Sequence, residues 1–250
     1  CRTIAPLMKG HAPLPSPVSP DALAGSLGMF LAGEPVHLLA HHALWWPAQG
    51  TLFIADLHLG KAATFRARGI PVPAGTTQGN LERLSALLLG LPVRRLVVLG
   101  DFLHAAEARN PAVLAALARW RSRHAAVELV LVRGNHDSHA GDPPPALGFA
   151  IVDEPWHLGP FAACHHPPPP TQDLQAQQAR PWHVLAGHVH PAIVLRGTGR
   201  DALRLPCFAV HAGFTLLPAF GLFTGMASLP PEPGRQLFAV GADRVWAVPG

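Results

Sequence analysis

Five short apolar runs in this chain each end in residues able to bind a metal ion. Leu-Phe-Ile-Ala precedes Asp56-Leu57-His58, and Leu-Val-Val-Leu precedes Gly100-Asp101. Leu-Val-Leu-Val is followed, after one arginine, by Gly134-Asn135-His136-Asp137. Phe-Ala-Ala-Cys precedes His165-His166-Pro167, and Val-Leu-Ala precedes Gly187-His188-Val189-His190. Carboxylate oxygen and imidazole nitrogen suit Mn, Fe, Zn or Ni and disfavour thiolate-selective metals. Asp56 with His58, and His188 with His190, are spaced to face one way from an extended strand end. Asp101 stands alone behind Gly100, where backbone can come close, as a bridging carboxylate requires. Asn135 offers a neutral carbonyl oxygen. Two metals about 3.5 to 4 Å apart can activate a bridging hydroxide and clamp a phosphoryl group for in-line displacement. His136 would then donate a proton to the leaving oxygen or stabilise charge on it. Asp137 would hold His136 in orientation. The chemistry expected of this set is phosphoester hydrolysis.

Such residues need a scaffold that brings five chain segments together. Residues 36–39, 52–55, 96–99 and 129–132 read as strands. Residues 80–89 carry apolar side chains at helical spacing, with Thr76 or Thr77 as cap. Residues 111–124 read as a helix with Asn110 as N-cap and Pro111 at its first position. This alternation predicts an α/β fold with a substantial parallel component. The second half differs. Residues 161–164, 184–186, 193–195, 208–210, 236–240 and 244–248 are short strand candidates with little helix between, which predicts a second sheet packed on the first. In open α/β sheets ligands bind at the carboxyl ends of strands, so the five tips would share one cleft. Residues 1–34 read as an irregular N-terminal arm, proline-rich over 11–20, and residues 35–250 as a single domain.

Composition narrows the classes. Of 250 residues 49% are apolar and 14% charged, enough for one well-filled core. No apolar run is long enough for a membrane span, and no signal-peptide pattern stands out. Three cysteines without CxxC spacing argue against a disulfide framework or a structural zinc site and point to a reducing cytoplasm. A net charge of +4 suits a polyanionic substrate.

The ordered series DLH, GD, GNHD, HxP and GHVH resembles the calcineurin-like metallophosphoesterase superfamily. A closer similarity runs outside the ligands. ADLHLGKAATFRARGIPVPAGTT at residues 55–77, LGDFLHA at 99–105 and LPAFGLFTG at 217–225 resemble the bacterial DNA ligase-associated metallophosphoesterases, over about residues 36–225. The resemblance implies a four-layer α/β/β/α sandwich of two mixed sheets. It implies manganese-favoured phosphodiesterase activity and a DNA-damage-response role as a single-strand endonuclease in the bacterial cytoplasm, beside a ligase and a helicase. Carried over by residue, one metal would take Asp56, His58, Asp101 and His190. The other would take Asp101, Asn135, His165 and His188, with His136 catalytic. The family's His-x-Pro register selects His165. Where relatives show His-Glu-Pro this chain has His165-His166-Pro167, leaving His166 as an outer or substitute ligand.

With sixteen histidines, isolated matches are expected by chance, and the order of the five is what carries weight. His104 could orient Asp101 or be purely structural. Lys61 and Arg66 could meet substrate phosphate, although most such side chains are simply solvated. Trp45 and Trp46 could stack on bases but read better as a buried strand pair. Two other functions compete: a hydrolase of small phosphodiesters or monoesters, and a non-catalytic scaffold on the same fold. Intact ligands at every motif speak against the scaffold.

Overall fold

The structure is a computed structural model that describes residues 23–67, 69–72, 75–169, 181–197, 201–230 and 232–249. Among these residues the strands form two mixed sheets. The first runs in chain order: β1 (Leu27–Leu31), β2 (Glu34–Leu39), β3 (Ala43–Trp46), β4 (Thr51–Ile54), β5 (Arg95–Leu99), β6 (Glu128–Val132) and β7 (Phe149–Val152). β1 to β4 pair antiparallel, and β4 to β7 pair parallel. The parallel part is crossed by α1 (Lys61–Ala67) and α2 (Thr76–Gly90) between β4 and β5, then by α3 (Pro111–Arg123) between β5 and β6. A short α4 (Asn135–Ala140) follows β6.

The second sheet holds β8 (Trp156–Leu158), β9 (Phe161–Cys164), β10 (His183–Ala186), β11 (Pro191–Arg196), β12 (Ala202–Val210), β13 (Phe214–Leu216) and β14 (Ala227–Ser228). β15 (Gln236–Val240) and β16 (Val245–Val248) branch from β12. Its β9, β10 and β13 are parallel neighbours. The two sheets pack through Val36, Leu44, Trp46, Phe53 and Val97 on one side and Phe161, Leu185, Phe208 and Phe238 on the other. Trp46 meets Phe161 edge-on at 4.9 Å. Trp45, one residue earlier, points to the opposite face and packs under α2 and α3 with Leu84, Leu88 and Trp120. The tryptophans are therefore core, not a base-stacking platform.

Several local expectations change. The irregular arm covers residues 1–34 only in part: 1–22 lie outside the described residues, while Leu27–Leu31 form β1 on β2. Helix α2 has Gly75 as N-cap, in the left-handed region at φ 85°, and neither Thr76 nor Thr77 caps it. Asn110 does cap α3, accepting the Val113 N–H at 3.1 Å. The outer face of the second sheet carries Ala162, Val184, Ile193 and Leu237. Among the described residues no helix follows Leu147, and the two mixed sheets with helices flanking the first form the expected α/β sandwich. No helix among the described residues is long and apolar enough to cross a membrane.

Two histidines away from the strand tips make the fold acid-sensitive. His183 is buried at the start of β10 beside the Thr215 hydroxyl at 2.8 Å. Burial, helped by His211, pushes it down to about 4. His42 donates from Nδ1 to the Ala219 carbonyl at 2.7 Å, yet burial also pushes it down to about 4. Unfolded, both would titrate near about 6.5, so the unfolded chain binds protons more readily. Their contribution is fully present above pH 6.5 and is lost as the pH falls towards 4. The slope is at most about 1.4 kcal/mol per pH unit for each histidine. The urea midpoint of chelator-treated protein should therefore decline steadily from pH 6.5 to 4.5. A flat midpoint over that window would refute the coupling.

Candidate metal centre

Parallel strands from both sheets deliver the polar tips to one place. β4 leads into Asp56, β5 into Asp101, β6 into Asn135, β9 into His165 and β10 into His188. The backbone there is not extended. Asp56, His58, Asp101, His188 and His190 all lie in the left-handed region, with φ between 44° and 68°. Only Ala32 and His42 share that geometry among the other described non-glycine residues. The paired residues of Asp56-x-His58 and His188-x-His190 thus converge through tight left-handed turns rather than by strand alternation. Such conformations cost an L residue roughly 1 to 2 kcal/mol each and persist where the surroundings fix them.

Two donor sets result. In one, ligand atoms of Asp56, His58 and His190 lie within 4.8 Å of one another. His58 Nε2 is 3.3 Å from His190 Nε2, and Asp56 Oδ1 is 3.5 Å from the latter. In the other, His165 Nε2, Asn135 Oδ1 and His188 Nδ1 are mutually separated by 2.8 to 3.1 Å. Asp101 stands between them. Its Oδ2 is 3.6 Å from His58 Nε2 and its Oδ1 is 3.5 Å from His165 Nε2. Glycine makes this closeness feasible. A Cβ on Gly100 would fall 2.1 Å from the His165 ring, and one on Gly187 would fall 2.7 Å from Asp56 Oδ2.

Hydrogen bonds fix which nitrogens face inward. His165 Nδ1 donates to the Leu99 carbonyl at 3.0 Å, and His190 Nδ1 donates to the Gly225 carbonyl at 3.0 Å. Each leaves an Nε2 lone pair facing an oxygen: His165 faces Asn135 Oδ1 at 2.8 Å, and His190 faces Asp56 Oδ1 at 3.5 Å. Lone pair facing lone pair at about 3 Å is unfavourable unless a cation lies between. Burial, then the neighbouring His190 and Lys61, push His58 down to about 2, so its imidazole is neutral and free to donate electrons. The residues present fit two divalent ions.

The surrounding residues depart from several expectations. Asp137 does not touch the His136 ring. Its buried carboxylate accepts the backbone N–H groups of Asp101, Phe102, Leu103 and Gly134 at 2.8 to 3.3 Å. It holds the Asp101 turn in shape, and burial still raises its carboxyl to about 6 against those donors. The group that orients His136 is the His104 carbonyl, which accepts from its Nδ1 at 2.8 Å. The His104 ring stacks on His136 at 4.8 Å, and its Nδ1 is 3.4 Å from His58 Nδ1. Lys61, in the first turn of α1, is half-buried. Burial lowers its pKa, while the charges of Asp101 and Asp56 pull it up. Arg66 lines a cleft of about 280 Å³ with Thr76, Thr77, Asn110 and Arg119.

One further residue at the centre belongs to none of the five motifs. Glu154 Oε2 accepts the N–H of His165 at 2.7 Å and of His166 at 2.9 Å, and Oε1 is 2.6 Å from His166 Nδ1. Its signal was present: Phe-Ala-Ile-Val of β7 ends in Asp153-Glu154, a sixth apolar run with acids at its tip.

Comparison with known proteins agrees with this geometry. The family model for calcineurin-like phosphoesterases matches residues 51–204. The crystal structure of the Pseudomonas putida nuclease MPE aligns with a TM-score of 0.75 at 45% identity, over 89% of this chain and 100% of that one. A protein of unknown function from Aquifex aeolicus is 21% identical with a TM-score of 0.35, over 60% of this chain and 82% of that one, too distant to bear on the chemistry. Among curated proteins none matches. Strand tips that turn left-handed to face one another, and a sequence matched across most of its length, have a single explanation: the chain belongs to the calcineurin-like phosphoesterase family and is a metal-dependent phosphoesterase.

Proposed function

We propose that this enzyme is a binuclear phosphodiesterase acting on nucleic acid, with single-stranded or damaged DNA as its substrate. The observation that carries the reading is Asp101, whose two oxygens face two separate donor sets. Asp56, His58, Asp101 and His190 would hold one ion, and Asp101, Asn135, His165 and His188 the other. Two bound ions supply an activated water and neutralise charge on the phosphoryl oxygens. The rest falls to the protein. His136, its Nδ1 tied to His104, presents Nε2 to the cleft and delivers a proton to the leaving oxygen. Its N–H also donates to Asp101 Oδ1 at 2.9 Å, which couples its position to the shared carboxylate. Lys61 adds a positive charge beside the cleft and draws in the phosphate. Manganese as the working ion, with iron, zinc or nickel as alternatives, a bacterial cytoplasmic setting and association with a ligase and a helicase belong to the same proposal.

Nucleic acid rather than a small diester is favoured by two observations. The 45% identical relative is a nuclease. Arg66 and Arg119 line one cleft beside α1, and Arg119 and Arg123 line the next. Replacing Arg66 and Arg119 together with alanine should raise KM for DNA several-fold and reduce the salt dependence of binding by about one unit of slope per lost phosphate contact. Hydrolysis of a nitrophenyl diester should be unaffected. Equal loss on both substrates would move these arginines out of a DNA-binding role. The reading as a whole is tested by cleavage of circular single-stranded DNA, linear duplex and a generic diester with Mn, Mg, Zn and no metal. Activity on the diester alone would replace it with the small-molecule alternative.

A further inference from the structure

We propose that His166 is an additional imidazole ligand for the second ion, held ready by Glu154, and that it biases this site towards nitrogen-preferring ions such as Zn²⁺, Ni²⁺ or Co²⁺. The inference rests on reading Asn135, His165, His188 and Asp101 as a metal set.

Three observations carry it. First, one ring nitrogen each of His165, His166 and His188 lie within 4.8 Å of one another. The His166 ring centroid is 4.7 Å from that of His165 and 4.5 Å from that of His188. Second, Glu154 fixes the His166 tautomer. A carboxylate 2.6 Å from Nδ1 takes that N–H and leaves the lone pair on Nε2. An imidazole that donates its other N–H to a carboxylate is a stronger metal ligand with a set ring orientation. Third, the same carboxylate clamps the His165 and His166 backbone, so both rings hang from one fixed point. The His166 ring itself is exposed, so burial does not hold it in place.

The chemical consequence follows from ligand type. Without His166 the second set has two imidazoles, one amide oxygen and one shared carboxylate, a mixture that oxygen-preferring Mn²⁺ accepts. A third imidazole shifts the balance towards ions that favour nitrogen. The acidic partner Glu154 also places a compensating negative charge behind the ligand.

The test uses the full chain stripped of metal and titrated calorimetrically with Zn²⁺ and, separately, with Mn²⁺. Wild-type protein should take two ions. His166→Ala should weaken Zn²⁺ at one of the two sites by about 10 to 100-fold while changing Mn²⁺ affinity by only about threefold or less. The visible absorption of the Co²⁺ form should change at that same site. Glu154→Gln, which still accepts the two backbone N–H groups, should produce a smaller loss in the same direction. The urea midpoint of each metal-free variant reports whether it is folded. Unchanged Zn²⁺ affinity and an unchanged Co²⁺ spectrum in folded His166→Ala would overturn the proposal, as would equal losses for Zn²⁺ and Mn²⁺, which mark a mere loop brace. Failure of the wild type to bind two ions would instead sink the binuclear reading beneath it.

Discussion

Asp101→Ala should lose both bound ions and turnover together, with activity falling by more than the roughly 10² to 10⁴-fold that a general acid contributes. The reason is geometric. One carboxylate sends Oδ2 towards His58 and Oδ1 towards His165, so its removal strips a negative ligand from both sets at once. It also leaves the His136 N–H without its acceptor. Asp101→Asn separates charge from shape. The amide keeps one oxygen for the His136 N–H but turns an NH₂ towards the other set, so it should fold normally and still fail to hold two ions. Metal content by elemental analysis, read beside the unfolding midpoint, decides the matter. An Asp101→Asn protein with two tightly bound ions would end the bridging assignment.

His136→Ala should keep both ions and lose about 10² to 10⁴-fold in turnover on DNA. Its Nδ1 is committed to the His104 carbonyl, and its Nε2 is 4.0 Å from Asp101 Oδ2, at the edge of the shared carboxylate rather than among its closest neighbours. A sugar oxygen leaves poorly as an alkoxide and needs the proton, whereas a nitrophenolate is stable as an anion and gains little from one. The defect should therefore shrink on a nitrophenyl diester under the same metal. Equal defects on both substrates would reject proton donation in favour of stabilising charge on the phosphoryl oxygens. Loss of an ion would make His136 a ligand, an outcome with structural precedent here because ring nitrogens of His58, His104 and His136 fall within 4.8 Å of one another.

The chemistry of the site was legible because each ligand follows an apolar run, and buried parallel strands announce themselves that way. Asp56, Asp101 and His188 sit at such ends. What could not be read were relationships made by tertiary contact. Asp137 is next to His136 in sequence, yet three of its four partners are backbone groups 34 to 36 residues away. Glu154 matters through His165 and His166, brought to it by the pairing of β8 with β9. Strand β1 was hidden by its turn. Leu31 pairs with Glu34 across a two-residue loop in which Ala32 and Gly33 have φ of 49° and 81°. That turn ordinarily advertises itself with Asn or Asp before the glycine, and alanine gives no such signal. Among glycines 25, 28 and 33 the segment looked irregular. Helix α4, six residues of Asn-His-Asp-Ser-His-Ala, has no helical propensity pattern to find, and Asp137 within it accepts the Gly134 N–H to close its first turn.

Five left-handed ligand residues also have a consequence for the lifetime of the protein in a cell. At roughly 1 to 2 kcal/mol each, their strain is a large part of the roughly 5 to 15 kcal/mol that keeps an ordinary domain folded. Bound ions would offset it, since a ligand held only by the native state stabilises that state by mass action. Metal-starved molecules should then open more often and reach proteases sooner, while loaded ones persist. Abundance would follow metal supply without any dedicated regulator, as degradation removes the copies that cannot work. Digestion rates of chelated and Mn-loaded protein by a nonspecific protease should differ accordingly, and replacing His58 with glycine should slow digestion of the chelated form while leaving one donor set a ligand short.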